Sequence, residues 1–355
     1  MAGQYSTVQL LPVLRKIESL PSFFLGFFPN TINFDTDEIA IDKVSDNYKR
    51  VAPFVAPNVQ GVVIKEKGFH TVAFKPAYLK PKHAIDPSMV FPRRPGENLL
   101  TGSLTPDQKF KMAVAETLRK HKSMIENTFE VMAASAVIYG YVDVEGPDYP
   151  KTRVDFRRDP SLTITTDWTA PGITSEQTFK DLRLGKQLVN DKSASGTVVR
   201  DYIFGQDAWD LFVKINKDEL FGDHGLMDTR FKGSETLITR ISDGLEGIEY
   251  MGRIAGVNGA GAMDIYVNTQ KFVNQDGKEE YLVPQGGIVG VSRAIEGYRC
   301  FGAIHDKKAG FRSLEMFPKM WEEEDPSVDY VMTQSAPLMV PRDPNTSFLL
   351  MVSTK

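Results

Sequence analysis

The chain has 355 residues, a formal net charge of −4, 41% hydrophobic and 25% charged residues, and a single cysteine. This is the composition of a folding globular chain with room for one large domain or two to three smaller ones. Mild acidity argues against a dedicated nucleic-acid binder, and a lone cysteine excludes a disulfide framework or a multi-cysteine metal site. Cys300 sits in the apolar run GYRCFGAI and reads as a small core residue.

The first apolar cluster, LPSFFLGFFP at 20–29, is interrupted by Pro21 and Pro29. It falls far short of the roughly 20 apolar residues that span a bilayer, so neither a signal peptide nor a membrane segment is expected. Its aromatic residues Phe23, Phe24, Phe27 and Phe28 need cover, on this subunit or a neighbour. Each fully buried ring contributes about 1.5–3 kcal/mol. Residues 61–76, GVVIKEKGFHTVAFKP, predict two strands joined by a turn at Lys67-Gly68. The segment AYLKPKHAIDPSMVFPRR at 77–94 follows, held extended by proline. Together they suggest a long ribbon, which is marginal alone in water and requires a surface to lie on.

Thr105, Pro106 and Gln108 spell the start of a helix. Phe110, Val114, Leu118, His121, Ile125, Phe129 and Met132 form one narrow apolar stripe. A helix over 105–135 would run roughly 45 Å and lie across a sheet. Glu116, Arg119, Lys120, Lys122, Glu126 and Asn127 are expected on its wet face. A hairpin is predicted from AVIYGYVDVEG and KTRVDFRR around PDYP, then a helix from Thr174 or Ser175 ending at SASG with Gly196 as its cap. TVVRDYIF reads as a buried strand and GQDAWDLFVKINKDEL as a helix. Residues 248–304 read as mainly β, with a hairpin turn at Asp276-Gly277. Strands and helices are segregated, which is the α+β pattern.

Catalytic signatures are missing. The five histidines lie at 70, 83, 121, 224 and 305 with no i, i+4 pair, and HExxH, GxSxG and GxxxxGK[ST] do not occur. The glycines of GVNGAGAMDIYV at 256–267 precede a strand rather than a helix, so no phosphate loop is expected. His121 reads as a core or interface residue, and EEED at 322–325 as a solvated patch. Lys75, Lys80, Lys82, Arg93 and Arg94 alternate with apolar residues along the extended limb, a pattern suited to an acidic protein surface.

Two long motifs, AYLKPKHAIDP at 77–87 and VMTQSAPLMVPRDPN at 331–345, resemble the capsid protein E family of lambda-like tailed phages. SFFLGFFP, FVAPNVQGVVI at 54–64 and YRCFGAIHD at 298–306 are similar to that family in the same order, while residues 146–250 match in outline only. The resemblance implies a Hong Kong 97-type capsid fold. Its parts would be an N-terminal arm at 1–50, an extended loop at 51–100, and a peripheral domain with spine helix and hairpin at 101–170. An axial domain at 171–305 and a return to the peripheral domain at 306–355 would complete it. The limb at 77–94 would then lie over an adjacent subunit.

The implied function is a major capsid protein, not an enzyme and without cofactors, forming pentamers and hexamers of an icosahedral shell around phage double-stranded DNA. An encapsulin-like shell and a soluble enzyme with a dispersed site are the alternatives. The implied partners are other copies of the chain, a separate scaffolding protein (no fused scaffolding segment is seen), a portal at one vertex and a decoration protein. The genome would be enclosed without specific binding, and no membrane is involved. The implied location is the virion, and the host cytoplasm during assembly. Candidate inter-subunit contacts are Phe23, Phe24, Phe27, Phe28, Lys65, Lys67, Lys80, Lys82, His83, Arg93 and Arg94. Lys65, Lys67 and Lys75 lie where some relatives cross-link, but no acidic catalyst or asparagine is identifiable, so assembly is expected to be non-covalent.

Overall fold

A computed structural model describes residues 5–19, 22–36, 38–43, 60, 70–86, 105–146, 149–217, 220, 227–228, 247–254, 261–274, 276–324 and 328–353. Helix α1 (Thr7–Lys16) opens on a Ser6–Gln9 capping box and buries Leu10 and Leu14. A single 3-10 turn at Phe24–Phe27 leads into β1 (Asn30–Asn33), β2 (Ile39–Lys43), β3 (His70–Phe74) and β4 (Lys82–Ile85). β3 pairs antiparallel with β2, Ile39 opposite Phe74 and Lys43 opposite His70; its expected partner at 61–66 lies outside the described residues.

Helix α2 (Pro106–Tyr139) runs 34 residues, about 50 Å at the standard rise. Thr105 and Gln108 form the expected capping box, and all seven residues of the apolar stripe are buried. The helix continues four residues past 135, because Ala136, Val137 and Ile138 are buried and Gly140 supplies a left-handed cap at φ 75°. The hairpin therefore begins later than expected, as β5 (Tyr141–Gly146) and β6 (Tyr149–Asp155).

Arg158, just after β6, plugs the end of α2. It donates through Nη1 to the Ile138 and Val137 carbonyls, and through Nη2 to Leu162 O and Thr163 Oγ1, both at 3.0 Å. Those helix-end carbonyls have no partner within the helix, and a Cβ at Gly140 would collide with the Arg158 side chain.

Next come β7 (Thr163–Thr165), α3 (Ser175–Lys192), β8 (Val199–Phe204), α4 (Gln206–Ile215), β9 (Met227–Asp228), β10 (Ile248–Ile254) and β11 (Met263–Asn268). Thr174 caps α3 as expected, but the helix stops at Ser193, ahead of Gly196. The hairpin β12 (Lys271–Val273) and β13 (Glu279–Tyr281) turns through Gly277 at φ 77°. The chain ends with β14 (Gly287–Ser292), β15 (Gly297–Phe301), β16 (Phe317–Glu323), β17 (Val328–Gln334), β18 (Pro337–Pro341) and β19 (Ser347–Met351).

A seven-stranded sheet in the order β7-β19-β14-β8-β11-β10-β9 divides two hydrophobic cores. Tyr202, Phe204, Ile265, Ile288 and Phe348 on one face meet Phe179, Leu182, Trp209 and Phe212 of α3 and α4. Ile203, Tyr266, Val289, Val291 and Leu349 on the other face join the core around α2, the N-terminal turn and two small sheets, β1-β15-β18 and β16-β17-β4. Sheet membership crosses the expected domain boundaries. β7 and β19, expected with the peripheral part, belong to the large sheet, whereas β15, expected with the axial part, lies between β1 and β18. Pairing between strands far apart in sequence is responsible, and local patterning does not encode it.

Arg158→Met would leave the carbonyls of Ile138 and Leu162 without the Arg158 donor, while Val137 O keeps the Ser347 hydroxyl. The expected loss is ~2–4 kcal/mol of unfolding free energy, read as a lower urea midpoint at unchanged slope.

Candidate functional site

Two attachment sites dominate the α2 side of the molecule. In the first, Glu130 of α2 points beneath the N-terminal turn. Its Oε1 accepts the backbone N–H groups of Phe23 at 2.8 Å and Phe24 at 2.6 Å, and its Oε2 accepts that of Leu25 at 2.8 Å. These are the donors a helical turn leaves unpaired at its start, so a carboxylate supplied from 105–107 residues away satisfies them. At the other end of the turn, Arg299 of β15 donates to Phe28 O at 2.7 Å and to Leu25 O at 3.1 Å. Burial pushes the Glu130 carboxyl above its ordinary range, while the three N–H donors and Arg299 pull it back. Phe23, Phe24, Phe27 and Phe28 are fully buried, with Phe23 edge-on to Phe24 at 5.1 Å and to Phe27 at 5.7 Å. The cover they need comes from their own subunit.

Lys122 extends this row one and two turns back along α2. Its Nζ donates to Ile17 O at 2.5 Å and lies 3.8 Å from Glu126. Lys122, Glu126 and Glu130 stand at i, i+4 and i+8 on one face of α2. Sequence patterning assigns Lys122 and Glu126 to solvent and passes over Glu130. The i+4 repeat of charge beside the apolar stripe was the available signal. That the arm's backbone would be the partner had no local trace.

The second site is the base of the extended limb. Leu79 bridges Ser335, and β4 adds to β17 with His83 opposite Val331 and Lys82 opposite Met332. Lys82 Nζ lies 3.7 Å from the Tyr330 ring centre and 5.0 Å from that of Trp321, and the two rings stack at 5.6 Å. His83 Nδ1 is 2.8 Å from His121 Nε2, and His121 Nδ1 is 3.1 Å from Thr333 Oγ1. Lys80 Nζ lies 4.7 Å over the Tyr78 ring, whose hydroxyl donates to Ala303 O at 2.5 Å.

Within the subunit, residues 79–85 form a bridge and a strand on their own sheet. The proline-rich sequence conceals this backbone pairing with β17. Lys65, Lys67, Arg93 and Arg94 lie outside the described residues. The phenylalanines and the set Lys80, Lys82 and His83 occupy separate places rather than one site.

A third polar cluster lies on the α2-facing side of the large sheet. Asp201 and Asp264 are register partners on β8 and β11. Arg253 holds Asp264 in a fork at 2.7 and 2.8 Å, Tyr250 donates to it at 3.2 Å, and Arg293 reaches Asp264 at 3.0 Å and Asp201 at 3.3 Å. Burial raises the Asp201 carboxyl to about 6, with Arg293 opposing. Two carboxylates and two guanidinium groups balance in charge. Cys300 is buried, with its thiol pushed up to about 12. Among the described residues no group of three potential metal ligands occurs.

Glu130→Gln keeps one acceptor oxygen and turns an amide donor toward the third N–H. It should cost roughly 1–3 kcal/mol and expose the arm, seen as faster proteolysis near residue 20 while the core resists.

The histidine pair sets a pH dependence. An N···N contact requires one nitrogen to accept, and burial, with His83 nearby, lowers His121 to about 4 from 6.5. Between pH 6.5 and 4 the unfolded chain therefore binds more protons, so this contribution is intact above 6.5 and falls on acidification. Asp201 acts in the opposite sense. Comparing wild type with His121→Phe isolates the histidine: from pH 7 to 5 the wild type should lose about 2 kcal/mol more in urea unfolding than the variant.

Comparison with known proteins accounts for a molecule so rich in attachment points and so poor in chemistry. Residues 6–351 match the phage major capsid protein E family. The chain is 31% identical to the major capsid protein of Enterobacteria phage P21, over 99% of both chains. It is 28% identical to that of Escherichia phage lambda, over 97% of both. A crystal structure of a prophage capsid protein from E. coli CFT073 superposes with a TM-score of 0.75 at 24% identity, covering 99% of this chain and 100% of that one. The chain belongs to the phage major capsid protein E family, has the Hong Kong 97-type fold, and is a structural subunit of a capsid shell rather than an enzyme.

Proposed function

We infer that copies of this chain assemble as pentamers and hexamers into an icosahedral shell that encloses double-stranded phage DNA. The observation that carries this is the extent of the family match, from residue 6 to residue 351. It includes the arm, the limb, the spine helix α2 and all the sheets. A separate scaffolding protein guides assembly in the host cytoplasm, a portal occupies one vertex, and a decoration protein stabilises the finished virion. Subunits associate without covalent links. A net charge of −4 suits a wall that must release its genome, so binding to DNA is weak and non-specific.

The arm and limb-base residues form the frame from which inter-subunit contacts are presented. Phe23, Phe24, Phe27 and Phe28 act indirectly, by fixing the arm. Lys80, Lys82 and His83 fix the root of the limb, and Lys65, Lys67, Arg93 and Arg94 are left as candidate direct contacts.

Electron microscopy of the chain co-expressed with its scaffolding protein should show closed shells with five-fold and six-fold centres. Denaturing gels of mature particles should show one monomer band. A chain that stays monomeric with scaffold present would overturn the shell. Particles filled with protein cargo and free of DNA would favour the encapsulin-like reading, and a ladder of multimers would refute non-covalent assembly.

A further inference from the structure

One surface loop is held firmly in a conformation that its sequence disfavours. Residues 306–312 read DKKAGFR. Asp306 caps the short turn by accepting the Lys308 N–H at 2.8 Å, and its other oxygen accepts from Lys319 of β16 at 2.6 Å. On the far side, Asp35 accepts both the N–H and the hydroxyl of Ser313, at 3.0 and 2.9 Å. Between these anchors Gly310 and then Phe311 adopt left-handed backbone, φ 66° and 56°. For phenylalanine that conformation costs roughly 1–2 kcal/mol, and the ring it presents is 56% exposed. Lys307, Lys308 and Arg312 surround it, all exposed, and among the described residues none of them forms a salt bridge.

The complementary surface belongs to the same chain but lies elsewhere. Glu322, Glu323 and Glu324 are exposed where β16 ends, beside the half-buried Trp321. No cation pairs with them among the described residues, and Glu322 adds to the burial that raises the Asp329 carboxyl. The basic loop is pinned to Lys319, four residues from Glu323 along an extended strand, or about 13 Å. Three exposed cations flank an exposed aromatic ring, Lys308 and Arg312 also acting on Asp306 and Asp35, and three exposed anions stand beside Trp321, none of the six in a salt bridge among the described residues.

We propose that the Lys307–Arg312 loop of one copy docks on the Glu322–Glu324 tip of a neighbouring copy, with Phe311 seated against Trp321. This inference rests on the shell reading and names one of its lateral contacts. Within the rings of the shell reading, the contact runs head-to-tail, the loop of one copy on the tip of the next, the kind that closes into rings when the rotation allows. Opposite charge sets partner and register, and the aromatic pair excludes water from the centre.

Charge exchange tests it. Lys307→Glu with Lys308→Glu, and separately Glu322→Lys with Glu323→Lys, should each lower the yield of closed shells at least ~tenfold, and the fourfold exchange should recover most of it. Phe311→Gly guards against misfolding. It relieves the left-handed strain, so the soluble subunit should melt at the same or a higher temperature while shell yield falls. The proposal is overturned if both reversals assemble like wild type, since the shell then stands without this contact. It is equally overturned if the reversals lower subunit melting and the exchange restores it with no change in assembly, which would place the pairing within one chain. Failure of wild type itself to form shells would remove the shell reading and this contact together.

Discussion

A carboxylate buried against backbone amides organises much of this subunit. Glu130 meets three N–H groups of a segment more than a hundred residues earlier in the chain. An unpaired buried amide is costly, and an unpaired buried carboxylate more so. Neither partner is tolerable without the other. Once the turn is held, four phenylalanine rings fill the space between α2 and β15, and Arg299 closes the carbonyl end. Aromatic burial supplies most of the free energy, while hydrogen-bond geometry selects one seating among the many that grease alone would permit.

The same division of labour recurs along α2. His121 sits in the apolar stripe yet faces a second histidine and a threonine hydroxyl. Arg158 enters the buried end of the helix and serves the carbonyls the helix cannot satisfy for itself. Each is a polar group at the seam between elements distant in sequence. Apolar contacts at these seams supply cohesion, and the directional bonds fix the relative placement of arm, limb and sheets.

What the sequence disclosed follows from the range of the forces involved. The start of α2, its stripe, the cap at Thr174 and the Asp276-Gly277 turn depend on residues within one or two turns of each other, and all can be read directly. The long motifs at 77–87 and 331–345 point to the family. Less was legible wherever pairing is remote: β3 with β2, β4 with β17, and β7 and β19 as members of the large sheet. Glu130 and Lys122 were hidden for a related reason, since a charged residue one position off an apolar stripe looks solvated unless the incoming backbone is known. His121 could be placed in the core, but its partner could not be named, because His83 reaches it only through the fold.

The seven-stranded sheet is greasy on both sides. Ile203 and Val289 serve one core while Tyr202 and Ile288, their immediate neighbours, serve the other. Such a sheet is a party wall: neither room can be remodelled without disturbing the next.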